Sequence, residues 1–232
     1  MIELIAELAT GHGGDVDLAC DMVAAAADAG AHTVKIQSYT LAHLNPRDPQ
    51  ADWLRQSHLN EAAHERLIEA CAHHRVLFLS TPFDRASVLL LGKLGQYRVK
   101  VPSSLPVWNL QPEGGLQVKS WAWGLMPEVV PRDSGIEAHL TAIPLYPTPA
   151  EAVCAAPLLD GWSDHTVGIA ACQHMISRGA RIIEAHFCLP GKSRQMPWDK
   201  SPAEFRAIRD WADTVEVMST GVSTQFRERW CA

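Results

Sequence analysis

The feature that most constrains this chain is an alternation. Short apolar runs rich in β-branched residues are separated, repeatedly, by stretches whose apolar side chains recur at helical spacing. A strand followed by a helix before the next strand does not turn back as a hairpin. The helix carries the chain across the sheet, so successive strands run parallel. Residues 3–9, 33–38, 76–80, 97–101, 116–121, 138–143, 161–163 and 181–187 read as strands. Eight units of this kind predict a closed (β/α)8 TIM barrel. An open doubly wound sheet is the alternative that periodicity alone leaves standing.

The intervening segments carry helix signals. Residues 17–29 place Leu18, Met22, Val23 and Ala26 on one face and stop at Gly30, as a capped helix should. Residues 60–74 repeat the pattern with Ala63, Leu67 and Cys71, and Asn60 stands where an N-cap belongs. Residues 85–94 close at Gly95, and 148–159, 166–179 and 202–217 supply three later helices, the last with Pro202 in its first turn. The fifth unit is abbreviated: 124–135 holds two prolines and little helical spacing, which predicts a loop. No linker interrupts the pattern, so residues 1–232 are expected to form one domain, ending in a short helix or tail over 219–232.

Composition narrows the function. With 47% hydrophobic residues the chain can fill one sizeable core, and a net charge of −6 without a basic run argues against a nucleic-acid surface. Six cysteines lie scattered with no C-x-x-C pair, which fits a reducing compartment and hence the cytoplasm. The first strand begins almost at Met1, leaving no room for a signal segment. No apolar run approaches the roughly 18 residues of a membrane span.

A barrel carries its chemistry at the C-terminal ends of its strands, and every strand here ends in polar residues. They are Glu7, then Lys35 with Gln37, Ser80 with Thr81, Lys100 with Ser103, Ser120, Tyr146, Ser163 with His165, and Glu184 with His186. Lys35 and Gln37 are two apart and share a face, as do Glu184 and His186. A lysine between apolar strands is unfavourable without a negative partner, so Lys35 and Lys100 imply either a bound anion or paired carboxylates; a Lys35–Glu7 bridge is the structural alternative. His165 and His186 end consecutive strands, so their imidazoles can converge on a divalent ion. Cys188 shares the parity of His186 but reads first as a packing residue.

These residues sit in strings that resemble the sialic acid synthase family. Ile5-Ala6-Glu7 with His12 and Gly14, Val34-Lys35-Ile36-Gln37, Leu79-Ser80-Thr81-Pro82-Phe83-Asp84 and Lys100-Val101-Pro102-Ser103 occur in the family's order. Tyr146-Pro147-Thr148-Pro149, Trp162-Ser163-Asp164-His165-Thr166 and Ile183-Glu184-Ala185-His186-Phe187 continue it. The resemblance implies a condensation of phosphoenolpyruvate with an aldehyde sugar to give a 2-keto-3-deoxy sugar acid, with release of phosphate. It implies that His165 and His186 hold Mn2+ or Mg2+, and that Lys35, Thr81, Lys100, Ser103, Ser120 and Ser163 hold phosphoenolpyruvate. By the same resemblance Glu7 is an acid/base candidate, and Gln37, Tyr146 and Asp199, in Pro197-Trp198-Asp199-Lys200, lie on the sugar side.

Three positions depart from the family pattern: Gly11 for Asn, Leu105 for an acidic sugar-binding residue, and Pro144 for a small polar one. The chain also stops where family members continue into a small antifreeze-like domain. The expectation is therefore that the acceptor is held differently, through a homodimer or a partner protein. Two other readings stand beside the synthase. One is a metal-dependent aldolase, isomerase or hydrolase with Glu7 as base; the other is a non-catalytic sugar-phosphate-binding or regulatory descendant.

Overall fold

The computed structural model describes residues 1–104, 112–122 and 135–219. Its strands are β1 (Glu3–Ala9), β2 (Thr33–Ser38), β3 (Leu77–Pro82), β4 (Arg98–Val101), β5 (Leu116–Ala122), β6 (Ile136–Ala142), β7 (Gly161–Asp164) and β8 (Ile182–His186). They pair in sequence order, all parallel, and β8 closes on β1 with Glu7 opposite His186. Closure decides between the two architectures in favour of the barrel.

The described helices are α1 (Val16–Asp28), α2 (Ala51–Gln56), α3 (Glu61–His73), α4 (Arg85–Lys93), α5 (Ala150–Ala155), α6 (Ala170–Ser177) and α7 (Pro202–Ser219). Helix α1 starts at Asp15, whose carboxylate accepts from the Leu18 amide, and buries Ala19, Met22, Val23 and Ala26 against the barrel wall. Gly30 follows its C-cap at φ +92, and a Cβ there would meet Arg209 Cγ at 2.6 Å. Both the backbone angle and the space therefore call for glycine. Asn60 caps α3 through the Ala63 amide, as its position suggested.

Three expectations shift. Helix α5 spans only Ala150–Ala155, because Pro157 forces Ala156 into extended backbone at φ −68, ψ 135. Helix α6 begins at Ala170 rather than 166, since Thr166 is drawn into a side-chain network with Asp164. Helix α2 was not anticipated; six residues are too few to show a period. Residues 124–134 of the abbreviated fifth unit, Leu105 and residues 220–232 of the expected final helix or tail lie outside the described residues.

Inward-facing side chains form layers. Ile5, Leu79, Val118, Ala138, Leu140 and Ile182 make an apolar belt across the barrel interior. Below it Arg98 reaches both oxygens of Glu3 at 2.7 and 2.8 Å and Glu137 at 2.7 Å, while the Thr33 hydroxyl donates to Glu3 at 2.6 Å. Above the belt lies a polar layer. Burial alone would raise the Glu3 carboxyl, but the hydrogen bonds and charge of Arg98 and the bond from Thr33 outweigh it and hold the group below its ordinary value. A depressed folded-state value stabilises the fold above the unfolded carboxylate's pKa, and that stability is lost as pH falls through the folded value. Glu3→Gln is expected to lose about 1–3 kcal/mol at pH 7. Urea melts from pH 7 down to pH 3 should show the gap between variant and wild type closing with acid.

Candidate active site

The polar layer opens into a cavity of about 190 Å³ at the C-terminal rim, lined from every strand of the barrel or the loop that follows it. Strand parity explains four of the set: Glu7, Lys35, Lys100 and Glu184 each lie two residues beyond an inward-facing side chain, respectively Ile5, Thr33, Arg98 and Ile182. The centre of the cavity is a row of four charges. Lys35 pairs with Glu7 and, at 3.1 Å, with Glu184; Lys100 reaches the other Glu184 oxygen at 3.0 Å, where the Ser163 hydroxyl also donates at 2.8 Å. Both lysines are thus already matched by carboxylates.

Glu184 was the partner sequence reasoning missed. Its parity pointed inward, but its partners lie on β2 and β4, and no local spacing reveals that. Burial would raise its carboxyl, yet Lys100 and Lys35 together hold it well below the ordinary value. Burial and the nearby charge of Lys100 pull the Lys35 ammonium down to about 7, with Glu184 opposing the fall.

Hydroxyls complete the wall. Ser103, Ser120, Thr81 and Ser163 all line the cavity, and Thr81 Oγ1 and Ser120 Oγ are buried without a hydrogen-bond partner among the described residues. Buried hydroxyls are normally satisfied, so these two are available to a bound group. His165 and His186 stand at the lip with ring centroids 5.4 Å apart. Burial pushes His165 to about 4, and burial, His165 and Lys35 push His186 well below its usual value. Both imidazoles are neutral at pH 7 and can offer lone pairs. Among the described residues no group of three or more His, Cys, Asp or Glu side chains is arranged to hold an ion.

A second, larger cavity of about 370 Å³ adjoins the first and shares Gln37, Tyr146 and His186 with it. Loops build the rest. The β1–α1 loop contributes Gly11, helix α2 and the residue before it contribute Leu54 and Gln50, and the β8–α7 loop contributes Arg194, Met196, Trp198 and Asp199. Tyr146 lies 4.2 Å from the His165 ring and 5.4 Å from Trp198, so aromatic rings border both cavities. Asp199 approaches His186 at 3.7 Å and accepts from the Met196 amide at 2.8 Å; burial raises its carboxyl.

Lys200 fixes this loop. It is fully buried, bridges to Asp164 at 2.8 Å, and donates to the carbonyls of Thr166 and Trp198 at 2.7 and 2.9 Å. Its own amide bonds the His186 carbonyl at 2.8 Å. The ends of β7 and β8 and the Trp198–Asp199 segment are therefore tied to one another through this one side chain and its amide.

Every site residue expected from sequence lies at one of these two cavities. Lys35, Thr81, Lys100, Ser103, Ser120 and Ser163 line the inner one with Glu7 and His165; Gln37, Tyr146 and His186 are shared; Asp199 lines the outer one. Pro144 is exposed and lines neither. Cys188 is buried outside both, its thiol pushed up to about 11 by burial, so it packs rather than reacts. Arg194, Gln50 and Leu54 carried no sequence signal: Arg194 lies in a loop without periodicity, and Gln50 and Leu54 cap or sit within a helix too short to show one.

A parallel eight-stranded barrel with ionisable side chains gathered over its C-terminal rim defines the class of (β/α)8 proteins that carry their chemistry there. Within that class the chain belongs to the NeuB family, whose sequence model matches residues 22–109 and 140–224. It is 31% identical to the N,N'-diacetyllegionaminic acid synthase of Campylobacter jejuni, over 89% of this chain and 73% of that protein. It is 25% identical to the pseudaminic acid synthase of the same species, over 91% and 72% respectively. In fold it resembles the N-acetylneuraminic acid synthetase of Leptospira borgpetersenii, with a TM-score of 0.79 at 19% identity over 99% of this chain and 92% of that one. No helix among the described residues is long and apolar enough to cross a membrane.

Proposed function

We propose that this protein is a synthase that joins phosphoenolpyruvate to an aldehyde sugar, giving a 2-keto-3-deoxy sugar acid and inorganic phosphate. One observation carries the reading: an inner chamber with two ammonium groups and two unpartnered hydroxyls opens, past two neutral imidazoles, onto a larger chamber sized for a sugar. The synthase names of the relatives point the same way.

In this reading Lys35, Lys100, Thr81, Ser103, Ser120 and Ser163 hold the phosphate and carboxylate of phosphoenolpyruvate through charge-assisted hydrogen bonds. Gln37, Tyr146 and Asp199 orient the sugar so that its aldehyde carbon meets C3 of the enol at the shared wall. A C–C bond forms there, the aldehyde oxygen gains a proton, water adds at C2, and loss of phosphate leaves the keto acid. Glu7, hydrogen-bonded to the Ala9 amide at 2.6 Å, is placed to give or take a proton on the inner side. The imidazoles fit a divalent ion such as Mn2+ or Mg2+ because both are neutral and adjacent, and such an ion would polarise the aldehyde oxygen as a Lewis acid.

Purified protein supplied with Mn2+ should release phosphate from phosphoenolpyruvate only when a suitable aldehyde is added. Silence across a broad aldehyde panel would overturn the proposal. A second reading, an aldolase or isomerase with Glu7 as base, draws on one observation: both lysines are already neutralised by Glu7 and Glu184. It predicts turnover of a sugar without phosphoenolpyruvate.

A further inference from the structure

The outer cavity contains a cation that the proposed chemistry does not use. Arg194 lies over the Trp53 ring, its guanidinium carbon 4.6 Å from the ring centroid, and its backbone amide donates to the Gly11 carbonyl at 2.9 Å. Trp53 is itself held, because its indole N–H donates to the Thr10 hydroxyl at 3.0 Å and its ring packs beside Gly13. The guanidinium is thus braced on one face by a fixed indole, an arrangement that favours a cation. No carboxylate among the described residues lies within ion-pair distance of it. Arg194 is exposed at the rim, so its charge carries little desolvation penalty, and it lines the cavity together with Asp199.

We infer that Arg194, braced on Trp53 and lining the outer cavity with Asp199, makes this chamber a subsite for a sugar bearing an acidic substituent, a carboxylate or a phosphate. The guanidinium presents a planar fork of donors that matches either group in two parallel hydrogen bonds. Asp199 suits the other part of such a ligand, because a carboxylate accepts from sugar hydroxyls. The remaining lining, Leu54, Met196 and Trp198, supplies apolar surface for a ring face. The Arg194 charge is near enough to Asp199 to oppose the rise of its carboxyl, but no ion pair forms between them. A neutral sugar would therefore leave the donor fork of Arg194 without a bidentate acceptor. The inference rests on the synthase reading only in calling this sugar the acceptor.

Three probes that share one ring separate the outcomes: glucose, glucuronate and glucose 6-phosphate, titrated calorimetrically into the wild-type protein and into Arg194→Gln. At least one acidic probe should bind the wild type about ten- to a hundred-fold more tightly than glucose, the range expected for a charge-assisted pair. The two acidic arms tell carboxylate from phosphate. In Arg194→Gln that preference should vanish, while glucose affinity and the melting temperature stay put. Arg194→Lys should keep part of it, since the charge remains and the fork does not. Equal affinities in the wild type, or a preference that survives Arg194→Gln, would overturn the inference. Binding needs no turnover, so a protein that never consumes phosphoenolpyruvate yet shows the Arg194-dependent preference would sink the synthase reading and leave this one standing.

Discussion

Lys200→Met is expected to destabilise the protein by about 3–5 kcal/mol, the range for removing one partner of a fully buried ion pair. Methionine is close to lysine in length, so packing survives; what is lost is the charge opposite Asp164, both side chains being 0% exposed, and the donors to the Thr166 and Trp198 carbonyls. The carboxylate would keep its bonds from the Trp162 indole at 2.9 Å and from the Thr166 hydroxyl, but it would be a buried charge with no counter-ion. For a domain of this size the loss corresponds to a melting temperature lower by roughly 6–20 °C. Adding Asp164→Asn should recover part of it, because the orphaned charge disappears. Calorimetric scans of the two single variants and the double variant test this. If the double variant is as unstable as the sum of the singles, the pair is not the coupling the structure describes.

The second large effect falls on turnover. Lys100→Met is expected to lower kcat/KM for phosphoenolpyruvate by about 30- to 5,000-fold, equivalent to the roughly 2–5 kcal/mol seen when one member of a buried hydrogen-bonded charge pair is truncated. Lys100 is 2% exposed and is bound by Glu184 alone among the partners shown, at 3.0 Å. Its removal subtracts one positive charge from the inner chamber and leaves Glu184 with Lys35. Initial rates of phosphate release at varied phosphoenolpyruvate and a fixed aldehyde resolve two cases. A raised KM for phosphoenolpyruvate identifies Lys100 as an anion-binding group, whereas a fall in kcat at unchanged KM leaves it only the counter-ion of Glu184.

The barrel was legible from the repeated alternation of strand and helix signals, strongest in the near-continuous apolar run of β1, while β4 to β7 carry polar residues among the apolar ones. Strands β1 and β2 end where the apolar pattern ends. Helices were less legible where another interaction overrode spacing: Pro157 truncates α5, and the Asp164–Thr166–Lys200 network delays α6. At the site, parity for Lys35 and His186 and strand-end position for Lys100 and His165 pointed to the mouth, and all four line the inner cavity there. What parity cannot supply is the partner across the barrel: the sequence reading names Glu7 as the one specific carboxylate for Lys35, and Glu184, which meets both lysines, carries no role in it. Arg194 and Trp53 meet only because the β8–α7 loop crosses helix α2, a six-residue element with too few turns to announce itself.

Gln37, Tyr146 and His186 each face two chambers at once. A party wall of that kind ties the fate of one tenant to the other. A substitution at any of the three should disturb both occupants' affinities together, so evolution or engineering that retunes sugar choice without harming the enol side has to work through the outer loops instead.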